Sequence, residues 1–314
     1  MTLPFCRRLV IAFPALLLTL TSAHELSAQP LSRRPQLSPA DIADIVLLEK
    51  IEDTRDYDSV ALQRVAAAKH PELRRRAALA LARLYDFRGR TILASMRSDA
   101  DTVVLATVVW ATGQLIDSSA IGWINGLLQS RATPPGIATE AAGAFGKIRT
   151  LETARHLQTF LLATRESPDT RTAIGEALLS LGRADSVRSD AAAARWATSS
   201  DPELRWRAAW SLGPVSDPDR TRLILTLAND PSGEVRYLAT RHLAWNTDDS
   251  LSPKPEQTRE LLVRALNDPD RRVRTEAIRA LGSHKDSVTL GHIVALLDDR
   301  DAWITAAAVE ALIS

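Results

Sequence analysis

The chain has 314 residues, with 39 Lys+Arg against 38 Asp+Glu and a formal net charge of +1. Charge this balanced argues against nucleic-acid binding, which relies on phosphate neutralisation by Lys and Arg. One cysteine, Cys6, excludes a disulfide framework within the chain.

Arg7 and Arg8, the apolar run Leu9–Leu20 and the small, polar stretch after it have the layout of a secretory signal peptide over residues 1–28. The apolar run is too short for a spanning helix. Cleavage is expected after Ala23 or Ala28, with Ala28 favoured. Removing 1–28 takes Arg7, Arg8 and Glu25, so Lys+Arg falls from 39 to 37 and Asp+Glu from 38 to 37. It also takes Cys6, leaving no thiolate nucleophile and no Cys-bound metal. The expected location is exported, periplasmic or extracellular. No later segment is apolar enough to cross a membrane.

Residues 29–57 hold a short capping helix. Ser38 suits its N-cap, Pro39 its first position and Asp41 its third, close to a capping box. From 58 to 314 the chain is a row of copies. "LRRRAALALA" starts at Leu73, "VLATVVWATG" at Val104, "IATEAAGAFG" at Ile137 and "AIGEALLSLG" at Ala173. "LRWRAAWSLG" starts at Leu204, "VRYLATRHLA" at Val235, "VRTEAIRALG" at Val273 and "ITAAAVEALI" at Ile304.

The fifth position is Ala in every copy except the second, which has Val108. Small residues there mark close approach of two helix backbones. The first, fifth and ninth positions share one helical face, predicted to point into the core. Gly at the tenth position in five copies suits a left-handed helix end. Asp201-Pro202, Asp230-Pro231 and Asp268-Pro269 read as N-caps followed by first-turn prolines. Asp201 and Arg205, and Asp270 and Arg274, are spaced to pair within one helix.

Second amphipathic stretches lie between the copies, so each repeat is an outer helix, a turn and an inner helix. No segment alternates with period two, and no strand is expected. The fold class is therefore all-α: an α-α superhelix of eight helix pairs behind an N-terminal capping helix. "NTDDSLSPKPE" (246–256) reads as a surface loop or a joint in the array. At the C-terminal edge, Ile304, Ala308 and Leu312 are expected to form an uncovered apolar stripe, covered by a partner or by further sequence.

The pattern D-P-x-V-R-x-x-A-x-x-A-L-G, clearest at 201–213 and 268–282, resembles HEAT repeats, specifically the short type named after phycobilisome lyases. The resemblance covers about residues 58–314 and weakens at 167–182, which lacks the Val-Arg pair. It implies a solenoid whose inner helices line a concave surface. It leaves function open, because such arrays include scaffolds, nucleic-acid binders and a few enzymes. Some exported bacterial chains with similar arrays carry a cyclophilin-type peptidyl-prolyl isomerase domain further on, and the alternative reading is that this chain is the N-terminal array of such an enzyme, with its catalytic domain beyond residue 314. A phycobilin-lyase activity would rest on the repeat's name alone.

No catalytic constellation is legible. His70, His156, His242, His284 and His292 form no H-x-x-x-H or H-E-x-x-H pair, so no metal is expected. "GAFGKI" (143–148) lacks the full phosphate-loop spacing, and Gly146 reads as a helix cap. There is no G-x-S-x-G elbow. The chain is expected to be no enzyme and to hold no cofactor. "RRR" (74–76) and "RRVR" (271–274) read as solvated helix faces plus the repeat's structural Arg.

The candidate surface is the face opposite the core stripe, at the third and seventh positions. Trp206 and Trp210 are i,i+4 neighbours there, Arg207 flanks them, and the next copy adds Tyr237 and Arg241. Trp110 extends the set from three repeats away. Aromatics beside arginines match the composition of binding hot spots. The other reading has the indoles packing between repeats or on Arg stems. Trp123, Trp196, Trp245 and Trp303 read as packing. The expected function is a non-catalytic scaffold that binds a protein or peptide on this face.

Overall fold

The computed structural model describes residues 36–184, 190–213, 218–245, 255–284 and 287–313. The expected signal segment, 1–28, lies outside them. So does the joint as far as residue 254, while Pro255 and Glu256 already begin a helix. Contacts divide the chain after Leu37, and Ser38–Ser314 form one compact unit.

Among the described residues there are seventeen α-helices, two short 3₁₀ segments and no strand. The first nine are α1 (Pro39–Thr54), α2 (Ser59–Ala66), α3 (Pro71–Leu84), α4 (Gly89–Ser95), α5 (Thr102–Gln114), α6 (Ile121–Gln129), α7 (Pro135–Ile148), α8 (Leu151–Ala163) and α9 (Arg171–Gly182). The rest are α10 (Asp190–Ala197), α11 (Pro202–Leu212), α12 (Pro218–Leu227), α13 (Gly233–Trp245), α14 (Pro255–Ala265), α15 (Arg271–His284), α16 (Ser287–Val294) and α17 (Ala302–Ile313). The odd helices from α3 to α17 are the eight copies. They pack in series, with α1 against α3 at the start of the row, and each even helix packs against the odd helix that follows it. The architecture is the expected all-α superhelix.

α1 starts as its sequence demands. The Ser38 hydroxyl accepts from the Asp41 N–H at 3.2 Å, and the Asp41 carboxylate accepts from the Ser38 N–H at 2.8 Å. Two orphan donors are thus satisfied at once, and Pro39 costs no hydrogen bond there. The copy helices are 11–14 residues long, and helices of that length are marginal in isolation, so packing of the apolar stripe holds them. The first, fifth and ninth residues of every copy are buried, except half-buried Leu312. Each large aliphatic side chain fully buried there contributes about 1.5–3 kcal/mol.

The tenth-position glycines do a different job from the one expected. Gly113, Gly146, Gly182 and Gly282 lie inside helices, and only Gly213 has positive φ. A Cβ on Gly113 would fall 2.7 Å from the Ala144 Cα, and one on Gly282 would fall 2.6 Å from the Ala311 Cβ. These glycines let successive odd helices touch backbone to backbone. The left-handed helix ends are instead Arg55, Tyr85 and Arg149.

The acids before the copies also differ from expectation. Asp201 is an N-cap, accepting from the Glu203 N–H at 2.9 Å. Asp230 and Asp268 stand two residues before the caps of α13 and α15 and accept from the Ser232 and Asp270 N–H groups. The expected pairs Asp201–Arg205 and Asp270–Arg274 do not form. Arg205 instead makes two hydrogen bonds to Asp230 in the next repeat, at 2.7 and 2.9 Å. Arg74 does the same with Asp99, and Arg236 with Asp268. Arg274 reaches Asp301 at 3.4 Å. Each of these arginines also donates to two carbonyls five and six residues behind it. The capping acids have their lone pairs turned to the helix end, so the fork closes on the neighbouring turn. The result is a ladder of rungs between repeats.

At the last repeat, Ile304 and Ala308 are fully buried, so the expected bare stripe is covered. The large apolar side chains that α17 exposes are Trp303, Val309 and Ile313.

Candidate functional site

The third and seventh positions of the copies do turn away from the core. Trp210, Arg279, Ala306 and Glu310 are exposed. Arg75, Leu79, Ala106, Trp110, Thr139, Leu179, Trp206, Tyr237, Arg241 and Thr275 are half-buried. Gly143 and Gly175, with no side chain to show, are buried.

On α11 the two indoles have different neighbours. The Trp206 Nε1–H donates to Glu203 at 3.0 Å, and the Arg207 guanidinium lies 5.0 Å from the Trp206 ring centre. Arg207 is itself 3.6 Å from Glu203 and lies over Gly175 of α9, where any Cβ would strike its guanidinium. Its Nε is buried and makes no hydrogen bond. Trp210 leans on the end of α9: a Cβ on Gly182 would fall 3.0 Å from its indole Cδ1. One edge of Trp210 is therefore packing, and 36% of the residue remains in solvent.

Tyr237 on α13 accepts a long hydrogen bond from Arg241, at 3.4 Å, and the Arg272 guanidinium of α15 stands 5.2 Å over its ring. Trp110 on α5 is separated from this group by α7 and α9 and is covered by Lys147, 5.2 Å from its ring. Among the described residues no two of these rings stack on each other. The structure thus brings Trp206, Arg207 and Trp210 together on α11 and Tyr237 and Arg241 on α13, and sets Trp110 apart.

The same face opens further along into a recess of about 400 Å³ between α13, α15 and α17. Tyr237, Arg272, Thr275, Arg279, Trp303 and Glu310 line it. Trp303, which the sequence places among the packing residues, is 70% exposed, with Arg271 5.8 Å from its ring. It precedes the first residue of its copy, which hid it. Its i+3 and i+7 neighbours are Ala306 and Glu310, both on the candidate face, and that spacing identifies it. Of the other tryptophans assigned to packing, Trp196 is buried, with its Nε1–H donating to the Leu161 carbonyl, and Trp123 is half-buried under Arg97.

Several titratable groups have structural contacts. His70 caps α3 through Nδ1, and His156 stacks on Phe145. His242 is 3% exposed, and burial pushes its imidazole down to about 4. Burial raises the Glu140 carboxyl and lowers the Lys147 ammonium, which also feels the carboxylates of Glu140 and Glu176. In the Arg74–Arg76 run, Arg74 serves the ladder while Arg75 and Arg76 hold Glu72, whose carboxyl falls to about 2 through the Arg75 hydrogen bonds. In the 271–274 run, Arg272 pairs with Asp270 and Glu234, and Arg274 with Asp301. Among the described residues no cluster of His, Cys, Asp and Glu is placed to hold a metal, and no helix is long and apolar enough to cross a membrane.

A family model for HEAT repeats matches residues 161–244 and 221–313. No curated protein matches the sequence. Several solved structures share the fold. The Escherichia coli protein YibA is 15% identical, with a TM-score of 0.58 over 88% of this chain and 98% of its own. An engineered protein is 18% identical, with a TM-score of 0.54 over 85% of this chain and 84% of its own. A Kap121p mutant is 12% identical, with a TM-score of 0.54 over 88% of this chain and 36% of its own. Identities this low speak for the fold alone. The chain is thus similar in fold to these helical-repeat proteins over 85–88% of its length, and residues 161–313 match the model for HEAT repeats.

Proposed function

We propose that this chain is an exported, non-catalytic scaffold that binds a protein or peptide along the face made by the third and seventh positions of α11 to α17. The observation that carries the reading is the recess between α13, α15 and α17, with Tyr237 and Trp303 in its wall and Arg271, Arg272 and Arg279 beside them. Aromatics that keep solvent exposure beside arginines supply contact area and directional donors together, the composition of interface hot spots. Trp206 and Trp210 extend that surface along α11. Their contacts with Arg207 and Gly182 hold the rings in place without hiding them.

The test begins with peptides selected from a random library on the whole protein. Trp303→Ala, and separately Trp206→Ala with Trp210→Ala, should weaken the selected peptides by about tenfold or more, a loss of about 1.4 kcal/mol. Thermal unfolding of both variants should stay close to the parent protein. Unchanged affinity would remove the face from the account, and a collapse of stability in the α11 variant would make its indoles structural.

A further inference from the structure

The ladder of arginines is interrupted beside an open cleft. The second position of the copies is Arg74, Arg205, Arg236 and Arg274 in the four copies that form rungs. In α5, α9 and α17 it is Leu105, Ile174 and Thr305. In α7 it is Ala138, which spans only a fraction of a guanidinium's reach. The acid that would receive an arginine from this position is also missing: Pro168 stands five residues before the α9 copy, where Asp230 and Asp268 stand before theirs. Ala138 accordingly lines a cleft of about 780 Å³ between the turns that precede α7 and α9, a volume ordinary for a ligand site.

The cleft has a divided lining. Leu128 and Phe160, both buried, form its apolar floor. Arg131 and Arg165 stand at its rim, both exposed, and neither makes an ion pair or side-chain hydrogen bond among the described residues. That sets them apart from the arginines of the ladder and of the two basic runs. Hydroxyls of Ser130, Thr133 and Thr164 line it as well, and Asp169 is its acidic side chain. Two unpaired cations against one carboxylate leave a net positive rim above an apolar floor.

We infer that this cleft binds an acidic peptide segment, with an apolar side chain on Leu128 and Phe160 and a neighbouring carboxylate held by Arg131 and Arg165. Charge complementarity selects the acidic class, and the apolar floor selects a peptide over a bare anion. The site lies on α6 to α9, on helices other than those of the face proposed above, so either assignment can fail without the other.

Fluorescence anisotropy on the full chain tests it with three probes. They are an acetylated hexapeptide alternating Glu and Leu, its Gln–Leu counterpart, and inorganic phosphate as competitor. The Glu–Leu peptide should bind at least about tenfold more tightly than the Gln–Leu peptide, and less tightly as salt is raised. Arg131→Ala with Arg165→Ala should remove that preference. Ala138→Arg should block binding by filling the cleft with the side chain that four of the other copies carry. Should Ala138→Arg fail to fold, the surface arginine variant decides alone. Equal binding of the two peptides, or an undiminished preference in the arginine variant, overturns the proposal. Displacement by phosphate at concentrations near the peptide's own Kd also overturns it, since the cleft would then hold an isolated anion.

Discussion

Arg205 grips Asp230 with two parallel hydrogen bonds across a repeat boundary, while Asp201, four residues before Arg205 in the same helix, caps that helix and pairs with Arg171 at 3.0 Å. The pair is largely buried, with 13% and 7% side-chain exposure. Removing one partner leaves the other desolvated and unmatched. Asp230→Ala should therefore cost about 3 kcal/mol, the lower end of the range for such pairs. A double-mutant cycle by denaturant unfolding should find coupling between Arg205 and Asp230 and almost none between Arg205 and Asp201. Coupling concentrated in the Asp201 pair would mean the inter-repeat rung carries no stability.

Glycine substitutions should change sign along the array. Gly126 in α6 faces open space, so Gly126→Ala should stabilise by about 0.5–1 kcal/mol through helix propensity. Gly113→Ala drives a Cβ to 2.7 Å from the α7 backbone, and should destabilise by about 1–3 kcal/mol as the helices separate. Unfolding midpoints in urea read both. Two stabilising results would show that the odd helices are not in backbone contact at Gly113.

His242 predicts a pH dependence. Its imidazole titrates near 4 when folded because it is buried, against 6.5 in the open chain. Above pH 6.5 both forms are neutral and the group contributes no penalty. Between 6.5 and 4 the unfolded chain binds the proton and the folded chain does not, so stability falls as pH falls, by about 3 kcal/mol across the window. Below 4 this loss is complete. His242→Asn should flatten the curve between pH 6.5 and 4.5. An unchanged curve would assign the slope to other groups.

The repeat register was legible because burial imposes a strict period: a first, fifth or ninth position that faces the core tolerates few residue types. The capping box of α1 was legible for the same local reason. The rungs were not, because Arg205 and Asp230 are 25 residues apart and a closer acid, Asp201, satisfies the helix-spacing rule on paper. Gly113 and Gly282 look like helix ends in sequence, and only the neighbouring helix shows why a side chain is excluded there. Trp206 and Tyr237 were found from their place in the copy. Trp303 was missed because it falls just outside the copy, although it lies on the same helical face. The cleft at Ala138 was not legible, because one alanine among many says nothing of the turns that stand around it.

The most direct test of the account is where a bound peptide touches the array. A photo-crosslinking residue at Thr275, a third position inside the recess, should capture a library-selected peptide, and one at Thr226, exposed on outer helix α12, should not. Crosslinking from Thr226 with none from Thr275 would place binding on the outer helices and contradict the assignment of the inner face.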